Sequence, residues 1–202
     1  MTVVRATAEA GVDSPVTAAL GRHIQEVRRA LDTIAAADVA RVVQSILDAA
    51  DRGAHVYIAG NGGSASTASH FACDLSKSTA LHGHRRLRVT SLTDSVALVT
   101  AWANDTSYER AFAEHLTGLV QPADVLLTIS VSGNSPNVLA AVAVARERGA
   151  RTVALVGRGG GALSSAVDIA VQVDSQDYGV VEDCHLAIQH AVTASVRSAL
   201  SA

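Results

Sequence analysis

Several residue classes are scarce in this chain, and each scarcity excludes something. Only two cysteines, Cys73 and Cys184, occur among 202 residues, and they form no CxxC pair. That rules out a disulfide framework, and both thiols are expected to be reduced and mostly buried. Aromatic residues make up 3% of a chain that is 49% hydrophobic, so the core must be built from Ala, Val, Leu and Ile, a mixture that favours helices on a parallel sheet. Neither charge sign dominates: the net charge of −3 gives no electrostatic case for nucleic acid as a main partner. No apolar run reaches the ~18 residues needed to span a bilayer. Met1–Val12 lacks the basic region and apolar stretch of a secretory signal. A cytoplasmic protein with no membrane partner is expected.

The length suits one domain with an appended helical segment. Ser14 followed by Pro15 reads as a helix start, after which Val16, Leu20, Ile24, Val27, Leu31 and Ile34 recur at helical spacing. Asp38 is expected to cap a second helix carrying Val39, Val42, Val43, Ile46 and Leu47, ending near Gly53. Residues 1–53 are therefore taken as a helical extension whose apolar faces need a partner, such as a second subunit. Residues 54–202 are taken as a single α/β domain.

From residue 55 the pattern alternates. Short Val/Ile/Leu-rich runs at His55–Ala59, Leu87–Leu92, Asp124–Ile129, Thr152–Val156 and Ile169–Val173 are separated by helical stretches. Such an alternation predicts a parallel sheet covered on both faces. A last helix is expected from about Val181 to Leu200, with Val181, Cys184, Ile188, Val192 and Val196 along one side.

Two strand ends carry the functional signal. Gly60-Asn61-Gly62-Gly63-Ser64-Ala65 lies where the first strand hands over to a helix. Its glycines permit a close backbone approach, and the helix N-terminus behind it favours an anion. Ser130-Val131-Ser132-Gly133-Asn134-Ser135-Pro136 follows the third strand in the same way. One of its three hydroxyls is expected to cap the helix, leaving the others for a ligand. Two cradles at the carboxyl ends of parallel strands, with neither GxxxxGK[ST] nor a dinucleotide fingerprint, point to a small phosphorylated metabolite and not to a nucleotide cofactor.

These two loops, together with Ser69-His70-Phe71-Ala72, Ala103-Asn104-Asp105 and Asn137-Val138-Leu139, resemble the sugar isomerase (SIS) fold over about residues 15 to 200. Within it they resemble the phosphoheptose isomerases, which interconvert sedoheptulose 7-phosphate and a heptose 7-phosphate. The resemblance implies a three-layer αβα architecture with a five-stranded parallel sheet, and a homotetramer with active sites at subunit boundaries. It also implies phosphate binding by Ser130, Ser132 and Ser135, with Asn61 and Ser64 from the first loop. Gly62 and Val131 belong to the same two loops. Asp94, Asn104 and Asp105 are further candidates for binding sugar hydroxyls.

Moving a carbonyl between C1 and C2 through an enediol needs a base near the carbons and an acid for the oxygens. His70 and Asp74 lie four residues apart and share a helix face; the family has a histidine and the longer glutamate there. Glu182 and His190 lie on the last helix, where the family has a glutamine and a histidine. Asp74 is the candidate base and His190 its partner acid, with His70 and Glu182 completing the cluster. Some family members hold zinc with the four matching residues, so His70, Asp74, Glu182 and His190 are the candidate zinc ligands. Glu182 and His190, eight residues apart, span about 12 Å of helix and converge only if Glu182 reaches back.

His23, His55, His82, His84 and His115 are read as packing or surface residues, as are Trp102, Tyr57 and Tyr108. His185 falls one turn from the candidate site. The glycine-rich run Gly157–Gly161 is read as a turn and helix start. Two alternatives stand beside the isomerase. One is a non-catalytic SIS protein, either a sugar-phosphate sensor or a binder of the replication initiator; the acid at 74 and His190 argue against it. The other is an isomerase of a related octulose phosphate.

Overall fold

A computed structural model describes residues 14–82 and 86–201; the Met1–Val12 segment and His84 lie outside the described residues. In chain order the elements are α1 (Pro15–Asp32), α2 (Ala36–Arg52), β1 (His55–Gly60), α3 (Gly63–Ser78), β2 (Arg88–Ser91), α4 (Val96–Asp105) and α5 (Ala111–Thr117). They continue as β3 (Val125–Ser130), α6 (Pro136–Glu147), β4 (Arg151–Val156), α7 (Gly161–Ala166), β5 (Ile169–Gln172) and α8 (Tyr178–Leu200). The five strands form one parallel sheet in the order β2-β1-β3-β4-β5, as expected.

Period-two alternation assigns each strand residue to a layer. Val56 and Ile58 of β1, Val125, Leu127 and Ile129 of β3, and Val153 and Leu155 of β4 point to the side covered by α2, α3 and α8. Tyr57 and Ala59, Leu126, and Ala154 and Val156 point to the opposite side, against Phe112 and Leu116 of α5 and Val138, Ala141 and Val142 of α6. The central strand β3 is buried along its whole length, which is why it reads as a continuous apolar run.

Ser14 caps α1, its hydroxyl accepting from the Thr17 amide, and Gly53 ends α2 in the left-handed region at φ 66°. Asp38 does not cap α2. Ala35 holds that position without a side-chain bond, and Asp38 sits in the first turn, where its carboxylate pairs with Arg41 at 3.1 Å and suits the helix dipole equally well. α2 buries Val42, Ile46 and Ala49 in the same apolar cluster as β1 and β3. α1 instead packs mainly on α8 and leaves Val16, Leu20 and Ile24 exposed. Cys184 is buried, but Cys73 is exposed, because α3 turns that position away from the sheet. No helix among the described residues is long and apolar enough to cross a membrane.

Candidate active site

The carboxyl ends of β1 and β3 bring the two loops together. A Cβ at Gly60 would lie 2.7 Å from the Ser64 carbonyl oxygen, so only glycine lets the chain turn this sharply into α3. Gly133, at φ 63°, faces the backbone of Gly160 and Gly161 with no room for a side chain. The Gly157 amide donates to the Val131 carbonyl at 3.0 Å, and the Leu163 amide to the Gly133 carbonyl at 2.9 Å. The glycine-rich run 157–161 is thus more than a turn: it buttresses the serine loop, backbone against backbone.

Between the loops lies a recess of about 120 Å³ lined by Asn61, Ser64, Ser130, Val131, Ser132, Ser135, Tyr178 and Glu182. The Ser130 and Ser135 hydroxyls are 3.2 Å apart. Ser135 occupies the N-cap of α6 but makes no capping bond there; the Val138 amide donates to the Asn137 side chain instead, at 3.0 Å. The expectation that one serine serves as the cap is therefore corrected, and all three hydroxyls remain beside the recess. The N-termini of α3 and α6 both border it, which favours an anion.

An amide pair ties the loops to each other. The Asn61 side-chain nitrogen donates to Asn137 Oδ1 at 2.8 Å, and that of Asn137 donates to Asn61 Oδ1 at 2.9 Å. The Tyr108 hydroxyl also donates to Asn61 Oδ1, at 2.8 Å. Tyr108 is 55% exposed, so it is not the packing residue that was expected. Sequence reasoning missed Asn137 as a tie; the available signal was a polar residue in the first turn of an otherwise apolar helix. For Tyr108 no local pattern existed.

The second group of residues lies further along α3. His70 Nε2 is 3.4 Å and His190 Nε2 3.7 Å from Asp74 Oδ2, and the two imidazoles meet edge to face at 5.0 Å. Their donor atoms lie within 4.8 Å of one another. Two imidazoles and a carboxylate form a donor set that suits zinc with an open coordination position. Glu182 is not in this group: its carboxylate packs over Gly63 at the start of α3. The four-ligand expectation therefore reduces, within one chain, to His70, Asp74 and His190, because eight residues of α8 separate Glu182 from His190 by more than a side chain spans.

Other candidates lie elsewhere. Asp94 accepts from the Ser69 hydroxyl and lines a separate cleft beside Cys73 and Ser91. Asn104 and Asp105, at the exposed end of α4, bond to each other at 2.9 Å and do not border the recess. Gly62, at φ 54°, is the N-cap of α3. The last helix begins earlier than expected because Asp177 caps it, accepting from the Val180 amide at 3.0 Å; this brings Tyr178 to the rim of the recess. His185 is fully buried, and neither ring nitrogen has a hydrogen-bond partner among the described residues. Burial lowers its pKa to about 4, outweighing the opposing influence of the Val156 backbone, so the ring is neutral near pH 7.

A parallel αβα sheet with a serine-lined recess at its carboxyl edge defines an SIS-type sugar-phosphate protein, and the SIS domain profile matches residues 22–157. Phosphoheptose isomerase of Pelobacter propionicus is 38% identical over 179 residues, covering 87% of this chain and 94% of that one. The Mycobacterium tuberculosis phosphoheptose isomerase is 39% identical over 166 residues, covering 82% and 84%. The solved structure of phosphoheptose isomerase GmhA from Neisseria gonorrhoeae superimposes with a TM-score of 0.82 at 28% identity, over 91% of this chain and 97% of that one. The chain belongs to the phosphoheptose isomerase family of SIS-domain proteins.

Proposed function

We propose that this protein converts sedoheptulose 7-phosphate to a heptose 7-phosphate of the D-glycero-D-manno type through an enediol. The observation that carries the reading is the locked recess: three hydroxyls and two helix N-termini converge on a volume suited to a phosphoryl group. Ser130, Ser132 and Ser135, with Asn61 and Ser64, hold the phosphate. Glu182 turns toward the sugar hydroxyls, since a carboxylate at the rim would repel the phosphoryl oxygens. Asp74 removes the proton from one of the two carbons, and His190 exchanges a proton with the neighbouring oxygen.

Zinc would be held by His70, Asp74 and His190, where it would polarise the sugar carbonyl, and Asp74 would then serve as a ligand in place of a free base. Geometry along α3 also bears on assembly. Ser64 and Asp74 are ten residues apart, about 15 Å of helix rise, further than an open seven-carbon chain reaches. The cradle of one protomer therefore works with the Asp74 group of another, in a cytoplasmic homotetramer with its sites at subunit boundaries. The partly exposed apolar row of α1 supports such an assembly.

The test is incubation of the purified protein with sedoheptulose 7-phosphate in deuterium oxide, with and without a chelator. Heptose 7-phosphate carrying solvent deuterium is expected. A protein that binds the sugar phosphate without exchange or turnover is a sensor and not an isomerase. Activity lost to the chelator and restored by zinc assigns the three donors to the metal and makes Asp74 a ligand.

A further inference from the structure

Along the buried side of α8, polar side chains recur every fourth residue: His185, Gln189 and Thr193. Each carries at least one polar atom without a hydrogen-bond partner among the described residues, an arrangement that costs stability and calls for a reason. Gln189 supplies one. It is fully buried, and its Nε2 donates to Asp74 Oδ2 at 2.7 Å, between helices 115 residues apart in sequence. This contact is shorter than either imidazole contact to the same oxygen, at 3.4 and 3.7 Å.

We propose that Gln189 is the positioning residue that aims the Asp74 carboxylate. Resting on the isomerase reading, the inference adds the group through which that carboxylate is held. Aspartate has a short side chain, one methylene less than glutamate, and reaches only a little way from α3. A long amide anchored by close packing on α8 meets it from the other side. The amide grips Oδ2, and no hydrogen bond to Oδ1 occurs among the described residues. Oδ1 is thereby left for the cleft shared by Asp74, Ser78, His190 and Arg197. Because the glutamine is neutral, it fixes the direction of the carboxylate without adding a charge beside His70 and His190.

Steady-state kinetics on sedoheptulose 7-phosphate test this with Gln189→Leu and Gln189→Met, two variants that fill the space and cannot donate. Size-exclusion profile and circular dichroism identify which of them folds and assembles as the parent does. The expected result is a fall in kcat of about 10- to 100-fold, as for other residues that orient a working ligand or base. KM should stay within about threefold, and the rate of solvent deuterium incorporation should fall in step with kcat. A folded variant with kcat within about twofold of the parent, or a loss carried by KM, overturns the inference and leaves the isomerase reading intact. A parent protein without turnover fails the isomerase reading, and the role given to Gln189 falls with it.

Discussion

The recess and the Asp74 group both draw on α3 and α8, the recess adding the loops after β1 and β3, and they are built by different means. The recess is made of backbone: glycines at 60, 133 and 160–161 admit contacts that no side chain would allow, and the loop amides and hydroxyls satisfy one another. The Asp74 group is made of side chains on two separate helices, and its geometry follows from how α3 and α8 pack. Backbone-built sites announce themselves in sequence as glycine and serine at fixed offsets. Sites built across helices show only their spacing within each helix, and the packing has to supply the rest.

Four experiments would break or sharpen that contrast. The largest effect is expected from Asp74→Asn, which keeps the shape and removes the base: kcat should fall about 10³-fold, roughly 4 kcal/mol of barrier, with KM little changed. Undiminished deuterium exchange in that variant would remove Asp74 from the reaction.

The second concerns His185, buried on α8 between Glu182 and Gln189 in the chain. Its folded pKa of about 4 lies below the usual 6.5, so between these values the unfolded chain binds the proton and the folded one does not. The stabilisation is complete above pH 6.5 and is lost as pH falls toward 4, by about 3 kcal/mol in all. Urea unfolding midpoints at pH 7 and pH 4.5 measure it. His185→Phe should flatten that dependence, and an equal slope in the variant would exclude the imidazole as its source.

The smallest effect is expected from Ser135→Ala: a rise in KM of about tenfold, the worth of one hydrogen bond to a charged group, with kcat retained. Mixed oligomers of Ser135→Ala and Asp74→Asn chains sharpen the comparison further. If recess and base come from different protomers, mixing should recover turnover above the average of the two separate variants when the substrate is kept below the parent KM, where the Ser135→Ala defect is felt. Simple averaging would place both in one chain.

Much of the fold was legible because its strands are apolar runs of the right length between helical patterns, and the glycine and proline signals at Gly53, Pro15 and Pro136 mark real helix ends. The recess was legible for the same reason. Asp38 misled because an acidic residue suits either the cap or the first turn, and sequence alone does not separate the two. Glu182 misled because resemblance groups residues by position, whereas within one chain the pitch of α8 carries Glu182 to the recess and His190 to Asp74. Asp94 and the Asn104-Asp105 pair follow β2 and end α4, but the path of α4 leads the pair away from the recess, while Asp94 is drawn to Ser69. Tyr108 and Gln189 act over separations of 47 and 115 residues, contacts that only the packed chain creates.

The reciprocal amides of Asn61 and Asn137 have a thermodynamic corollary. Each loop is clamped by the other before any solute arrives, so the hollow is a rigid mould whose ordering entropy is spent during folding and not at capture. Calorimetric titration with inorganic phosphate should accordingly show a small heat-capacity change, and capture should be fast, limited by diffusion and desolvation and not by a swinging flap.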